Sequence, residues 1–170
     1  MEEKIYKRMQ EIAGNPYLRF SDEMNLVYRQ VMECFQQNPE TKEYVNYTRH
    51  NLDLGNIRTP VEVAAEMYIY FHAHFFKFQQ AILSREHEID TYSFTPSIFD
   101  KSYLTILDIG TGVGTVPLAI IDLLRNYQKA KVELGYTPFV INLNFILVEP
   151  NKLKHQVLDE LLSKYEDLVD

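Results

Sequence analysis

The apolar positions along this chain change period near residue 102, from a helical spacing to short compact runs. Residues 2–13 and 21–37 have helix-favouring composition, with Asn15-Pro16 breaking the chain between them and Asn38-Pro39 ending the second. A shorter helical stretch is expected over 40–50, closed by Leu54-Gly55. The best-marked helix starts at Thr59-Pro60-Val61-Glu62, an N-cap threonine, a proline in the first turn and a glutamate three residues after the cap. It is expected to run to Leu83, because Ala64, Met67, Phe71, Phe75, Phe78 and Ile82 recur at steps of three and four. Tyr68, Tyr70 and Phe76 lie off that stripe, so more than one side of this helix is expected to be covered. Residues 84–101 lose the period and read as a connection, with a short extended piece at Tyr92–Phe94.

Beyond that connection the order becomes β-α-β-α. Tyr103–Ile109 is an apolar, β-branched run that fits a buried strand, and a glycine-rich turn follows at Gly110–Gly114. Thr115 is placed to cap the next helix, with Pro117, Ile120, Ile121 and Leu124 on its inner face. A polar bend at Lys129–Thr137 leads to a second strand, Phe139–Val148, which Glu149-Pro150-Asn151 ends. Leu153, Val157, Leu158, Leu161 and Tyr165 stripe a last helix. This order calls for parallel strands joined by a crossover. The fold class is therefore α/β, with a helical region over 1–100 and a βαβα unit over 101–170.

Composition narrows the function classes. The chain is 46% hydrophobic and 24% charged with a net charge of −7, the profile of a globular protein. Residues 1–100 hold ten Lys/Arg against fifteen Asp/Glu and residues 101–170 seven against nine, which argues against nucleic-acid binding by bulk charge. The one cysteine, Cys34, excludes an internal disulfide framework and reads as a small core hydrophobe. The opening Met1-Glu2-Glu3-Lys4 is not followed by an apolar run, and no stretch is long enough for a membrane span, so a cytoplasmic protein is expected. His72 and His74 diverge by about 200° on a helix and cannot share a metal as i, i+4 neighbours do. Glu86, His87 and Glu88 read as an exposed charged loop, and no metal site is expected.

The chemistry concentrates at Asp108-Ile109-Gly110-Thr111-Gly112-Val113-Gly114. A P-loop would need Lys and Ser/Thr after its last glycine, where this chain has Thr115-Val116. A dinucleotide fingerprint needs G-x-G-x-x-G, whereas the spacing here is G-x-G-x-G. An acidic residue two positions before G-x-G-x-G, at the end of a first strand, resembles motif I of the class I S-adenosylmethionine-dependent methyltransferases. Glu149 stands where that family ends its second strand with a carboxylate.

The resemblance implies a Rossmann-like sheet and a nucleoside cofactor, S-adenosylmethionine or its product S-adenosylhomocysteine. It implies that Asp108 meets the methionyl ammonium, that Glu149 accepts hydrogen bonds from both ribose hydroxyls, and that Gly110, Thr111, Gly112, Gly114 and Pro150 complete the cofactor contacts. Amides at the start of the following helix would favour the negative end of the methionine moiety. The 39 residues from Gly110 to Glu149 exceed what one helix needs, and only 56 residues follow Gly114. The resemblance thus covers the beginning of a catalytic domain, and the sheet is expected to be truncated. It nominates no catalytic base and no acceptor-binding residue. It also leaves Leu104–Ile109 as an open apolar edge, for which pairing with a second copy or a partner chain is the expected consequence. A non-catalytic interaction module is the competing reading.

Overall fold

A computed structural model describes Lys4 and residues 20–83, 101–137 and 140–169. Helix α1 (Asp22–Gln37) is followed by two 3₁₀ turns, Lys42–Asn46 and Leu54–Asn56, and by α2 (Pro60–Leu83). Strand β1 (Tyr103–Ile109), α3 (Thr115–Glu133), β2 (Asn142–Val148) and α4 (Lys152–Val169) complete the order. The expected helix over 2–13 with its Asn15-Pro16 break, the connection over 84–100 and the Glu86–Glu88 loop lie outside the described residues, Lys4 apart.

Local chemistry explains the element ends. Ser21 caps α1, its hydroxyl accepting from Met24 N at 3.2 Å, and Asp22 and Glu23 sit in the favourable first turn. The buried face of α1 is Met24, Val27, Tyr28, Val31, Met32 and Phe35. Cys34 falls outside that stripe and is exposed, so its expected place in the core is corrected by the helical period. The stretch 40–50 forms the 3₁₀ turn Lys42–Asn46 rather than a longer helix. Side chains there offer the backbone local alternatives: Asn51 Oδ1 accepts from Thr48 N at 2.5 Å, and Asn38 Oδ1 from Glu40 N at 2.9 Å.

At the start of α2, Glu62 Oε2 accepts from the backbone amides of Arg58 and Thr59, both at 2.8 Å, and from the Thr59 hydroxyl at 2.9 Å. These bonds, the Arg58 amide first, hold the Glu62 carboxyl below the usual range. The helix runs through Leu83, where the described residues pause, as far as its periodicity predicts. Ala64, Met67, Phe71 and Phe75 are buried along the predicted stripe, and Val63, Ala65 and Phe76 widen it.

Strands β1 and β2 pair in parallel, Tyr103 opposite Asn142 and Ile109 opposite Val148. Helix α3 packs on both sides. Ile120, Leu123, Leu124 and Tyr127 meet the inner sheet residues Ile106, Leu143 and Phe145, while Leu118 and Ala119 join the core built from α1, α2 and α4. That core draws Met24, Met67, Phe71, Phe75, Leu161 and Tyr165 into one cluster.

Four expectations about this half are corrected. The helix continues through the supposed bend at Lys129–Thr137 as far as Glu133, because Gln128, Lys129, Ala130 and Lys131 are strong helix formers and Ala130 is fully buried. Gly135 then ends it in a left-handed conformation, with Tyr136 N donating to Lys131 O. The N-cap of α3 is Gly114, and Thr115 is the first helical residue. Strand β2 begins at Asn142, three residues later than expected. The strands are covered on one face only among the described residues: Tyr103, Leu107, Ile109, Ile146 and Val148 on the outer face are all exposed, Ile109 at 74%.

A buried carboxylate ties three helices together. Asp122 of α3 accepts hydrogen bonds from the Ser21 hydroxyl at the head of α1, from Gln79 Nε2 of α2 at 3.1 Å and from Asn126 Nδ2 at 3.2 Å. All three donors are neutral, and burial pushes its pKa up. A folded-state pKa raised above the unfolded value means that stability falls as pH rises through that window. Asp122→Asn should therefore gain on the wild type as pH rises above the ordinary aspartate range, read from urea midpoints at each pH. A difference that does not change with pH would contradict this account of Asp122.

Candidate nucleoside site at the ends of the parallel strands

The carboxyl ends of β1 and β2 lie side by side, and the turn between β1 and α3 folds back over them. Gly110 N and Thr111 N both donate to Val148 O, at 2.7 and 3.2 Å, which extends the strand pairing into the turn. Gly110, Gly112 and Gly114 take φ of +80°, +61° and +84°, a region where residues with a Cβ are strained. The Thr111 hydroxyl donates to Asp108 O at 3.0 Å, and Gly114 N to Thr111 O at 3.1 Å. Gly114 has a further reason to lack a side chain, since a Cβ there would lie 2.3 Å from Leu158 Cδ1 of α4.

Glu149 is the residue that joins the strand ends to the turn. Its Oε2 accepts from Gly112 N at 2.9 Å and its Oε1 from Asn151 N at 2.8 Å. Asn151 in turn caps α4, its Oδ1 accepting from Leu153 N at 3.0 Å, while its Nδ2 donates to Ile57 O at 2.8 Å. Pro150 is exposed between them. The amides of Gly110, Thr111, Gly112 and Gly114 are thus all committed to protein acceptors. These four amides are therefore not available to a phosphate or to a ligand carboxylate.

Asp108 points elsewhere than Glu149. Its Oδ2 is buried without a hydrogen-bond partner, and burial raises its pKa. The residue lines a cavity of about 420 Å³ at the free side of β1, whose walls include Phe78 and Ile82 of α2, Leu104 and Ile106 of β1, and Val116 and Ile120 of α3. A buried carboxyl oxygen without a donor is a position where a cationic or N–H-bearing ligand group gains a strong hydrogen bond.

Seven residues singled out from the sequence, Asp108, Gly110, Thr111, Gly112, Gly114, Glu149 and Pro150, come together at these strand ends. Sequence reasoning missed two others. Glu66 of α2 lies beside Gly112, where a Cβ on the glycine would sit 3.7 Å from Glu66 Oε1. Lys154 of α4 pairs with Glu66 Oε2 at 2.9 Å, and both side chains are nearly buried, 10% and 13% exposed. No local pattern marks either residue, because the pair spans 88 positions. Burial raises the Glu66 pKa, Lys154 opposes that shift and Glu149 adds to it.

His72 and His74 diverge as expected, His72 stacking on Phe20 at 4.3 Å and His74 on Tyr70 at 5.6 Å between ring centroids. Among the described residues, no group of three His, Cys, Asp or Glu is placed to hold a metal ion, and no helix is long and apolar enough to cross a membrane. Compared with protein-family models, with curated proteins and with solved structures, the chain matches none of them.

Proposed function

We propose that this chain carries the cofactor-binding part of a class I methyltransferase and binds S-adenosylmethionine and S-adenosylhomocysteine. The observation that carries the reading is the placement of two carboxylates, Asp108 and Glu149, at the ends of adjacent parallel strands beside a turn of left-handed glycines. Glu149 uses one acceptor site on each oxygen for Gly112 and Asn151, and an ionised carboxylate has about four such sites, so two ribose hydroxyls remain within its capacity. Asp108 Oδ2 offers an unpaired buried acceptor suited to the methionyl ammonium. The spacing G-x-G-x-G after Asp108, with Thr115-Val116 where a P-loop has Lys and Ser/Thr, supports this ligand over NAD or ATP.

When bound, the sulfonium supplies an already activated methyl group, and the residues here hold its nucleoside and amino-acid ends. Methyl transfer also requires the acceptor to be aligned with that methyl group, and the Rossmann-like reading of the sheet belongs to the same proposal. Calorimetric titration with S-adenosylmethionine, S-adenosylhomocysteine, NAD and ATP tests the reading. The first two should bind and the last two bind worse, whereas a preference for NAD or ATP would overturn the assignment.

A second reading, an interaction module, is favoured by the exposed outer face of Tyr103, Leu107, Ile109, Ile146 and Val148. Parallel strands are normally covered on both faces, so a second copy or a partner chain packed over this face would bury it. Light scattering on the titration samples distinguishes the two: concentration-dependent association without ligand binding favours the module.

A further inference from the structure

The helical layer meets the turn of the nucleoside site through the Glu66–Lys154 pair, and its geometry gives that pair a task. Lys154 stands in the first turn of α4, five residues after Glu149, its backbone amide donating to Asn151 O at 3.1 Å. Its ammonium is nearly buried and lies against Glu66, at 2.9 Å from Oε2 and 3.2 Å from Oε1. Glu66 Oε1 lies 3.7 Å from where a Cβ on Gly112 would sit, and Glu149 Oε2 accepts from the Gly112 amide at 2.9 Å, so both carboxylates flank the same glycine. Two carboxylates therefore stand near one buried ammonium, and only Glu66 pairs with it. Glu149 keeps its oxygens for the amides of Gly112 and Asn151.

We propose that Glu66 is a positioning residue of the nucleoside site: by holding the Lys154 ammonium, it keeps that charge off Glu149 and leaves Glu149 to fix Gly112 and to receive the ligand. The ligand part of this proposal rests on the reading given under Proposed function, and the turn part does not. An ammonium that loses its partner in a nearly dry site has a strong drive to recruit another carboxylate. Glu149 is the carboxylate near the pair, and once bound to Lys154 it would release the Gly112 amide and spend acceptor sites otherwise open to the ribose. The other group bearing on Glu66 is His74, two turns along α2, whose charge acts on Glu66 in the same sense as Lys154.

The test uses the full chain, with Glu66→Gln alone and combined with Lys154→Met. Two quantities are read in each: the hydrogen-exchange rate of the Gly112 amide without ligand, and the affinity for S-adenosylhomocysteine. Glu66→Gln should speed Gly112 exchange and weaken the ligand, each by about tenfold, the effect of losing roughly one hydrogen bond. Removing the stray ammonium as well should return both quantities to within about threefold of wild type. A role limited to joining α2 to α4 predicts no such recovery, since the double variant also lacks the link. Unchanged Gly112 exchange in Glu66→Gln, or a double variant at least as impaired as the single one, would overturn the proposal. Should Glu66→Gln fail to fold, the double variant decides alone, near-wild-type exchange at Gly112 supporting the proposal and fast exchange refuting it. If the wild type binds no nucleoside, the methyltransferase reading fails while the exchange measurement still judges Glu66.

Discussion

Replacing Gly114 with alanine should lower the unfolding free energy by roughly 2–4 kcal/mol, the sum of a left-handed backbone strain and an overpacked contact. The backbone part follows from φ +84°, where a Cβ meets the following carbonyl. The packing part follows from Leu158, whose Cδ1 lies 2.3 Å and Cγ 3.6 Å from where the new Cβ would sit. Leu158 is 2% exposed, so its side chain has little room to withdraw. Gly135 provides the control, with a similar φ of +81° and nothing within 4 Å of a built Cβ. Gly135→Ala should therefore cost only the strain, about 1–2 kcal/mol. Urea denaturation of both variants separates the two contributions. Equal losses would mean that close approach of α4 to the turn does not explain Gly114.

Glu149→Ala should weaken S-adenosylhomocysteine by about 1.5–3 kcal/mol, the usual size for hydrogen bonds to a charged group. The substitution removes the acceptor of Gly112 N at 2.9 Å and of Asn151 N at 2.8 Å, so the turn and the α4 cap lose a shared anchor. It also removes the carboxylate proposed to receive the ribose. Stability should fall too, because two partly buried amides lose their acceptor. Calorimetry gives the affinity and urea denaturation the stability. Lost stability with unchanged affinity would leave Glu149 as a structural anchor and move the ribose contact elsewhere.

The elements legible in the sequence were those announced by strong local chemistry. The Thr59–Glu62 box marked the start of α2 to within a residue and the Phe71/Phe75 stripe its buried face, since both lie within its own sequence. The glycine turn and both carboxylates were legible because strand, turn and helix follow one another directly. The end of α3 was not, because Lys129–Thr137 reads as a polar bend until the burial of Ala130 is known. Cys34 was misplaced because residue type was weighed above its position on the α1 stripe. Glu66, Lys154 and Asp122 stayed hidden for a further reason. Each is a charged residue with partners tens of positions away, so only the packing of the four helices defines what it touches. The commitment of the turn amides was equally invisible, since it depends on the back-folding of Glu149.

Resonance by resonance, the backbone amides report where a ligand settles, and S-adenosylhomocysteine added to isotope-labelled protein is the most direct test of the central claim. The account predicts saturable shifts concentrated at Asp108, Gly110, Thr111, Gly112 and Glu149, with α1 and the distal half of α4 unaffected. No shifts at saturating nucleoside, or shifts confined to residues away from the ends of β1 and β2, would contradict it.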